Sequence, residues 1–228
     1  MSRGSPTADL VIFDLDGTLA DTAPDIAFAL NRTLEGAGLA ALPIETVIGY
    51  VGDGAAKLIE RALPADRRER DLPSLFESFL AIYEARPCVD SRLYPGIEAL
   101  LQALTRAGVA TAVLTNKAGS LARALVQALL PSHRFEAVIG DRDGYPRKPD
   151  PTAAFALLER TGTVPVRTVV VGDGLPDLRV AQALGARSLA AAWGYTPRDS
   201  LAAESPNWIA DDPTTVAGIL LTKLAPAG

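Results

Sequence analysis

The sequence contains few of the residues that build disulfides and zinc sites. Its 228 residues include one cysteine, Cys88, and one histidine, His133. A single cysteine cannot close an internal disulfide, and these two residues cannot supply the usual set of cysteine and histidine ligands for zinc. We therefore expect neither a disulfide framework nor a structural zinc site.

Long hydrophobic segments and an excess of positive charge are also missing. No uninterrupted run of 18 or more apolar residues is present, which argues against a membrane-spanning helix, and the first ten residues, MSRGSPTADL, lack the apolar segment of a signal peptide. The net charge of -5 indicates no broad basic surface for nucleic acid or anionic membrane. These absences predict a cytoplasmic protein that acts on a small molecule.

Two common nucleotide-binding motifs are absent. No GxxxxGK[ST] segment occurs, which excludes a P-loop. GDGAAK (52–57) begins like the dinucleotide motif GxGxxG, but Lys57 stands at the position of the last glycine and no buried strand precedes the segment. We therefore expect neither type of nucleotide site.

Short β-rich runs alternate with helical patterns along most of the chain. This alternation predicts an α/β fold, with a Rossmann-like parallel sheet sandwiched by helices. The runs are LVIF (10–13), VATAVL (109–114), AVIG (137–140), TVVV (168–171), SLAAAW (188–193) and WIA (208–210).

About 95 residues separate the first two of these runs, far more than a crossover needs. Within this intervening segment, apolar residues recur at the spacing of a helix. We therefore predict an α-helical cap domain over residues 21–88, inserted into a core domain formed by residues 1–20 and 89–228. Prolines and glycines mark the linkers near 18–24 and 86–96.

Four polar clusters follow β-rich runs or stand close to them. Ligands of open parallel sheets bind beyond the carboxyl ends of the strands, so these clusters could share one site. Each has a simpler explanation when taken alone: an Asp-Gly turn, a helix cap or a solvated lysine. The clusters are Asp14 with Asp16, Thr115 with Asn116 and Lys117, Lys148 in RKPDP, and Asp173 with Asp177.

Together these clusters resemble the motifs of the haloacid dehalogenase superfamily. DLDGTL (14–19) is similar to its first motif, Thr115 to its second, Lys148 to its third and GDGLPD (172–177) to its fourth. The segments YPG, TNK, RKPDP and WGY, with GYVGDGAAKLI (49–59), look most like the phosphoglycolate phosphatase branch, which has a helical cap. One departure is Gly174, where relatives frequently have serine.

The resemblance implies a phosphatase of small phosphomonoesters, with 2-phosphoglycolate as the expected substrate. Asp14 would attack phosphorus and form an aspartyl phosphate, and Asp16 would act as the general acid and base. Thr115, Asn116 and Lys148 would bind the phosphoryl oxygens, and Lys148 would stabilise the charge that moves during transfer.

The resemblance also implies a Mg²⁺ site. The acidic groups outnumber Lys148, and a substrate phosphate adds about two more negative charges, so a divalent cation is expected. Hard oxygen ligands favour Mg²⁺ over zinc. The expected ligands are the Asp14 carboxylate, the Asp16 backbone carbonyl, Asp173 and Asp177.

Two further readings stay open at the level of sequence. A β-phosphoglucomutase-like mutase or a sugar-phosphate phosphatase would share the nucleophile, the acid and the cap. A signalling receiver would also carry a phosphorylated aspartate at a strand end, but it needs neither a cap nor Asp16. Lys57, near the glycine-rich segment of the cap, is a candidate substrate contact. The oligomeric state is not predicted.

Overall fold

The structure is a computed structural model, and it describes residues 8–221 of the chain. The two ends of the predicted core domain, 1–7 and 222–228, lie outside the described residues. So do the first seven residues of the segment compared with a signal peptide.

Eight strands, ten α-helices and two 3₁₀ turns make up the described part of the chain. In chain order they are β1 (Leu10–Phe13), β2 (Ala20–Asp21), α1 (Ala23–Gly36), α2 (Ile44–Ile48), α3 (Ala55–Ala62), η1 (Ala65–Arg67), α4 (Arg68–Ala85), β3 (Arg92–Leu93), α5 (Ile97–Arg106), β4 (Ala110–Ala118), α6 (Gly119–Leu129), β5 (Val138–Asp141), α7 (Thr152–Thr161), η2 (Pro165–Arg167), β6 (Thr168–Gly172), α8 (Leu175–Leu184), β7 (Arg187–Ala191), α9 (Arg198–Ala203), β8 (Trp208–Ala210) and α10 (Pro213–Leu221).

Six of the strands form one parallel sheet in the order β5-β4-β1-β6-β7-β8. From β1 the chain builds outward through β4 and β5, and then returns to place β6 on the other side of β1. The strand order therefore reverses between β1 and β6, which is where open α/β sheets bind their ligands. The predicted α/β fold with a Rossmann-like sheet is confirmed.

Both faces of the sheet are covered by helices. In β1, Val11 and Phe13 pack into a cluster with α5, α6 and α10, while Leu10 and Ile12 pack into a cluster with α7 and α8. Successive side chains of a strand point to opposite faces, so a strand buried on both sides must be apolar throughout. This explains why the predicted strands are continuous apolar runs.

The fourth strand is longer than its apolar run predicts. It continues through Thr115, Asn116 and Lys117 to Ala118, with an irregular register against β5 between Leu114 and Ala118. Irregularities of this kind re-aim side chains near active sites. Polar residues therefore lie at the end of this strand instead of in a loop after it.

Helices α1 to α4 stand between β2 and β3 and share a hydrophobic cluster that also includes Ala118 of β4 and Leu121 of α6. Ile26, Leu30 and Leu34 of α1 are buried there with the apolar stripe of α4. The short helix α2 was not predicted, because five residues are too few to show a helical period. The division of the chain into a core and a cap at residues 21 and 88 stays a prediction.

The two linkers beside these helices are joined to each other. Strands β2 and β3 pair antiparallel, and the buried carboxylate of Asp25 accepts hydrogen bonds from the backbone N–H groups of Val89, Asp90 and Ser91 and from the Ser91 hydroxyl. Burial alone would raise the pKa of Asp25, but these hydrogen bonds hold it below its ordinary value. The carboxylate therefore ties the start of α1 to the second linker.

Candidate active site

Asp14 and Asp173 follow neighbouring strands at the point where the strand order reverses. β1 and β6 pair in parallel register with Phe13 opposite Val171, so the residues after them leave the sheet at the same edge. The backbone N–H of Asp14 also donates a hydrogen bond to the Val171 carbonyl at 2.9 Å. The fold therefore brings two carboxylates together that lie far apart in the sequence.

Asp177, in the first turn of α8, completes a cluster of three carboxyl groups. One oxygen from each of Asp14, Asp173 and Asp177 lies within 4.8 Å of the other two. Burial and the nearby charge of Asp14 raise the pKa of Asp173 to about 8. Burial also raises the pKa of Asp177 to about 7, against the opposing effect of Lys148. Without a cation, the cluster is an unfavourable place for three negative charges.

Lys148 brings a positive charge to this cluster. Its Nζ donates a hydrogen bond to Asp177 Oδ1 at 2.6 Å and lies 2.9 Å from Asp14 Oδ1. Burial alone would lower the pKa of Lys148, but the charges of Asp14 and Asp177 raise it well above its ordinary value. When all three carboxyl groups are ionised, one lysine leaves two negative charges uncompensated.

The cluster fits a divalent cation. Asp14 Oδ1 is buried and forms an ion pair with Lys148 Nζ at 2.9 Å, but it accepts no hydrogen bond from the described residues. A buried acceptor without a donor is costly, and carboxylate oxygens are ligands that hard divalent cations prefer. A cation held by these three aspartates would coordinate the oxygen and offset the two charges.

Asp16 contacts a different set of groups. Its Oδ1 accepts hydrogen bonds from the Thr22 hydroxyl at 2.6 Å and from Lys117 Nζ at 3.0 Å. Lys117 also donates to the hydroxyl of Tyr83, in α4, at 2.7 Å. Sequence reasoning noted Lys117 in TNK without giving it a role. Its only signal there was its place beside Asn116 at the end of a buried strand.

Thr115 and Asn116, two of the three predicted phosphate ligands, lie beside Asp14 at the end of β4. Both are buried and line the same cavity as Asp14. The Asn116 side chain is already occupied: its amide donates to the carbonyls of Gly52 and Lys148, and its oxygen accepts from the backbone N–H of Lys148. In this structure it joins two loops, and its binding of phosphate through the side chain stays a prediction.

Residues with no assigned role hold Asp173 in place. The Thr18 hydroxyl donates to Asp173 Oδ1 at 2.7 Å, and the backbone N–H of Tyr195 donates to Oδ2 at 2.8 Å. At Gly194 a Cβ would overlap the Asp173 side chain, so only glycine allows this approach. Thr18 belongs to the first motif, DLDGTL, and Tyr195 to WGY. Membership of these motifs is the sequence feature that could have identified both residues.

Gly174 replaces the serine that is frequent in the fourth motif, and Asp177 still has a hydrogen bond at this position. The backbone N–H of Gly174 donates to Asp177 Oδ2 at 3.1 Å. A hydrogen bond from the main chain does not depend on the side chain at this position. The orientation of Asp177 therefore does not require a serine.

Tyr195 links this site to the start of α1. Its hydroxyl accepts hydrogen bonds from the backbone N–H groups of Thr22 and Ala23 at 2.8 and 2.9 Å, and donates to Asp21 Oδ1 at 2.8 Å. The Thr22 side chain itself caps no N–H of the helix. The first N–H groups of a helix have no partner within it; here the tyrosine hydroxyl accepts from both, and Ala23 N–H also donates to Asp21 Oδ1 at 3.2 Å.

Replacing Tyr195 by Phe is expected to destabilise the protein, because it leaves the N–H of Thr22 without this acceptor, whereas the N–H of Ala23 keeps Asp21 Oδ1 at 3.2 Å. An unsatisfied buried group costs about 1–3 kcal/mol, so we expect the midpoint of thermal unfolding to fall by roughly 2–12 °C. Tyr145→Phe, at an exposed tyrosine, is the matched control. An unchanged midpoint in the Tyr195 variant would contradict the capping role.

Two cavities meet at Asp14 and Asp16. The larger, of about 420 Å³, is bordered by Lys148, Asp173 and Asp177 and by the loop at 48–53. The smaller, of about 50 Å³, lies between the end of β4 and the inserted helices. It is lined by Asp14, Asp16, Ile26, Val51, Gly52, Gly54, Ala55, Leu58, Phe79, Leu80, Tyr83, Thr115, Asn116, Lys117, Ala118 and Leu121.

Lys57 lines neither of these cavities. Its Nζ forms an ion pair with Glu60 at 2.6 Å, and 54% of its side chain is exposed. A contact between Lys57 and substrate stays a prediction. In this structure it would require the lysine to leave Glu60 and turn from solvent toward the site.

The chain belongs to the haloacid dehalogenase-like hydrolases. The model of that family matches residues 11–191, which include all the clustered carboxylates and Lys148. The expected family membership is thereby confirmed.

Relatives and solved structures of similar sequence cover nearly the whole chain. The phosphoglycolate phosphatase of Agrobacterium fabrum is 37% identical over 227 residues, covering 98% of this chain and 97% of that protein. The crystal structure of a predicted phosphoglycolate phosphatase from Haemophilus somnus superposes with a TM-score of 0.86 at 29% identity, covering 95% and 99%. A putative phosphoglycolate phosphatase from Lactobacillus delbrueckii gives a TM-score of 0.88 at 25% identity, covering 94% and 99%.

Within residues 8–221, no helix combines the length and the hydrophobicity that crossing a membrane requires.

Proposed function

We propose that this protein is a phosphatase that hydrolyses a small phosphomonoester, 2-phosphoglycolate, with the help of Mg²⁺. The observation that carries the proposal is the arrangement of Asp14 between Lys148 and the carboxylates of Asp173 and Asp177, with Asp16 on the adjoining cavity. The curated relative from Agrobacterium fabrum, named a phosphoglycolate phosphatase, supports the choice of substrate.

In the first step, a carboxylate oxygen of Asp14 attacks the phosphorus atom. A bond forms between this oxygen and phosphorus as the bond to the alcohol oxygen breaks, and protonated Asp16 gives its proton to the departing oxygen. Lys148 stabilises the charge on the phosphoryl oxygens during the transfer, together with Thr115. The products are an alcohol and an aspartyl phosphate on Asp14.

In the second step, Asp16 removes a proton from a water molecule that attacks the phosphorus. The bond between phosphorus and the Asp14 oxygen breaks, inorganic phosphate leaves, and Asp16 is protonated again by the proton from water. The two carboxylates therefore return to their starting states.

Mg²⁺ would be held by the carboxylates of Asp14 and Asp173 and the backbone carbonyl of Asp16, with Asp177 assisting. When bound, it would offset the negative charge of the carboxylates and of the phosphoryl group. Asp14 Oδ1, which accepts no hydrogen bond, and the two carboxylate charges that Lys148 does not balance support a cation at this position. The choice of Mg²⁺ rests on the oxygen-rich donor set.

We also propose that the helices between residues 21 and 88 act as a cap over this site. Their cluster includes Ala118 and Leu121, which belong to the core side of the small cavity. Excluding water while Asp14 attacks, and admitting it afterwards, would protect the intermediate from early hydrolysis. With a single cysteine in the chain, we propose the cytoplasm as its location.

The function is tested by measuring phosphate release from 2-phosphoglycolate, β-glucose 1-phosphate and a nucleoside monophosphate in the presence of Mg²⁺. We expect kcat/KM for 2-phosphoglycolate to exceed the other two by roughly tenfold or more, because a shaped pocket discriminates by at least this factor. Conversion of glucose 1-phosphate to glucose 6-phosphate would identify a mutase instead. A long-lived phosphoaspartate without turnover would identify a receiver.

A further inference from the structure

We propose that Lys117 and Tyr83 form the specificity site for an anionic group on the leaving alcohol. They would select short phosphorylated acids over uncharged esters of the same size. This inference rests on the proposed phosphatase function and assigns to it residues for which the motifs specify no role.

The first observation is a buried ammonium group on the wall of the small cavity. Lys117 is 7% exposed and lines this cavity. Its Nζ donates to both carboxylate oxygens of Asp16, at 3.0 and 3.2 Å, and to the Tyr83 hydroxyl. A buried positive charge on a cavity wall favours a ligand group that carries a negative charge.

The second observation is a matching donor from α4. The Tyr83 hydroxyl accepts the hydrogen bond from Lys117 at 2.7 Å, and Nζ also stands 4.4 Å from the centre of the Tyr83 ring. A hydroxyl that accepts a hydrogen bond can still donate its own proton. No acceptor for this proton is found in the described part of the chain. The Tyr83 hydroxyl therefore offers a free donor directly beside the Lys117 ammonium group.

The size of the cavity limits what can lie between these donors and the nucleophile. Its volume of about 50 Å³ corresponds to roughly four water-sized groups, at 10–15 Å³ each. A methylene group with a carboxylate has four heavy atoms. A substrate whose phosphorus lies at Asp14 could therefore place a carboxylate near Lys117 without moving the walls.

The walls of the cavity disfavour a sugar. Among the described residues, Asp14, Asp16 and Lys117 are the only charged ones that line the cavity. Most of the surface that the inserted helices contribute is apolar. A sugar would bury several hydroxyl groups there without partners, and each such group lowers affinity. The larger apolar side chains on the cavity wall are Ile26, Val51, Leu58, Phe79, Leu80 and Leu121.

The test compares 2-phosphoglycolate with its uncharged amide, which has nearly the same shape. In the unmodified protein we expect kcat/KM to favour the acid by about 10–100-fold, the range of a hydrogen bond to a charged group. In Lys117→Met we expect this ratio to fall to about threefold or less. Arg32→Met, which removes a positive charge from an exposed ion pair on α1, should leave the ratio unchanged.

The ratio separates recognition of the anion from the positioning of Asp16. If Lys117 only holds Asp16, its loss will slow both substrates equally and the ratio will stay at its original value, which overturns the proposal. A ratio near one in the unmodified protein also overturns it, and this measurement needs no variant. Tyr83→Phe provides a second variant, in which we expect a partial fall of the ratio.

The two proposals fail in different ways. If the unmodified protein hydrolyses acid and amide equally, the phosphatase function stands and the specificity site is wrong. If it hydrolyses neither, the proposed function is wrong, and the specificity site falls with it.

Inhibition by glycolate but not by glycolamide, measured on the unmodified protein, is the expected result in a binding assay.

Discussion

Replacing Asp14 by Asn is expected to reduce phosphate release by about 10⁴-fold or more, the loss measured when a catalytic nucleophile is removed. The amide cannot attack phosphorus as a carboxylate does, so no aspartyl phosphate forms. The change keeps the size of the side chain and leaves Lys148 next to Asp177. The measurement is kcat with 2-phosphoglycolate at saturating Mg²⁺.

Stability distinguishes this loss from unfolding. The charge of Asp14 contributes to raising the pKa of Asp173 and of Asp177. Removing it relieves the repulsion among the carboxylates, so we expect the Asn variant to unfold in EDTA at the same temperature as the unmodified protein or a higher one. Asp66→Asn, at an exposed aspartate, is the matched control and should keep its activity. Activity of the Asp14 variant within tenfold of the control would defeat the proposed mechanism.

Adding Mg²⁺ is expected to stabilise the protein strongly at alkaline pH and weakly at acidic pH. Asp173 and Asp177 have pKa values of about 8 and about 7 in the folded chain, against an ordinary value of 3.8. Between these values the folded state binds protons that the unfolded state has released. The stability that these two groups contribute in EDTA should therefore be fully present near pH 4 and fall as pH rises toward about 8.

The cation competes with these protons, so its effect should grow over the same pH range. At a concentration 100 times its dissociation constant, a ligand stabilises by about 2.7 kcal/mol, which corresponds to a rise of roughly 5–11 °C in the unfolding midpoint. We expect a rise of this size near pH 8 and a much smaller one near pH 5. Thermal unfolding with Mg²⁺ or EDTA at both pH values measures the difference.

The Asp173→Asn variant provides the control for this experiment, because it keeps the volume of the side chain and removes a proposed ligand. We expect its unfolding midpoint to respond little to Mg²⁺ at either pH. An equal rise at both pH values in the unmodified protein would place the cation at a surface site instead of at the clustered carboxylates.

The sequence alone determined the main sheet and predicted the residues of the candidate site. A parallel strand that is buried on both faces must be apolar throughout, so each strand was visible as a short continuous run. Because ligands bind at the carboxyl ends of such strands, the polar residues near those ends could be identified before the strands were placed. Asp14, Asp173 and Asp177 were found in this way and Lys148 through its place in RKPDP, and the structure brings the four together.

The tertiary structure alone decided which neighbours these residues have. Lys117 meets Tyr83 across 34 positions of the chain, and the Tyr195 hydroxyl meets the N–H of Thr22 across 173. Neither contact follows from a local pattern. The side-chain amide of Asn116 likewise donates to the carbonyls of Gly52 and Lys148, which lie in two loops distant in the sequence. Periodicity along a chain reports which face of an element is buried, whereas side-chain partners depend on how separate elements pack, and that is decided only when the chain folds.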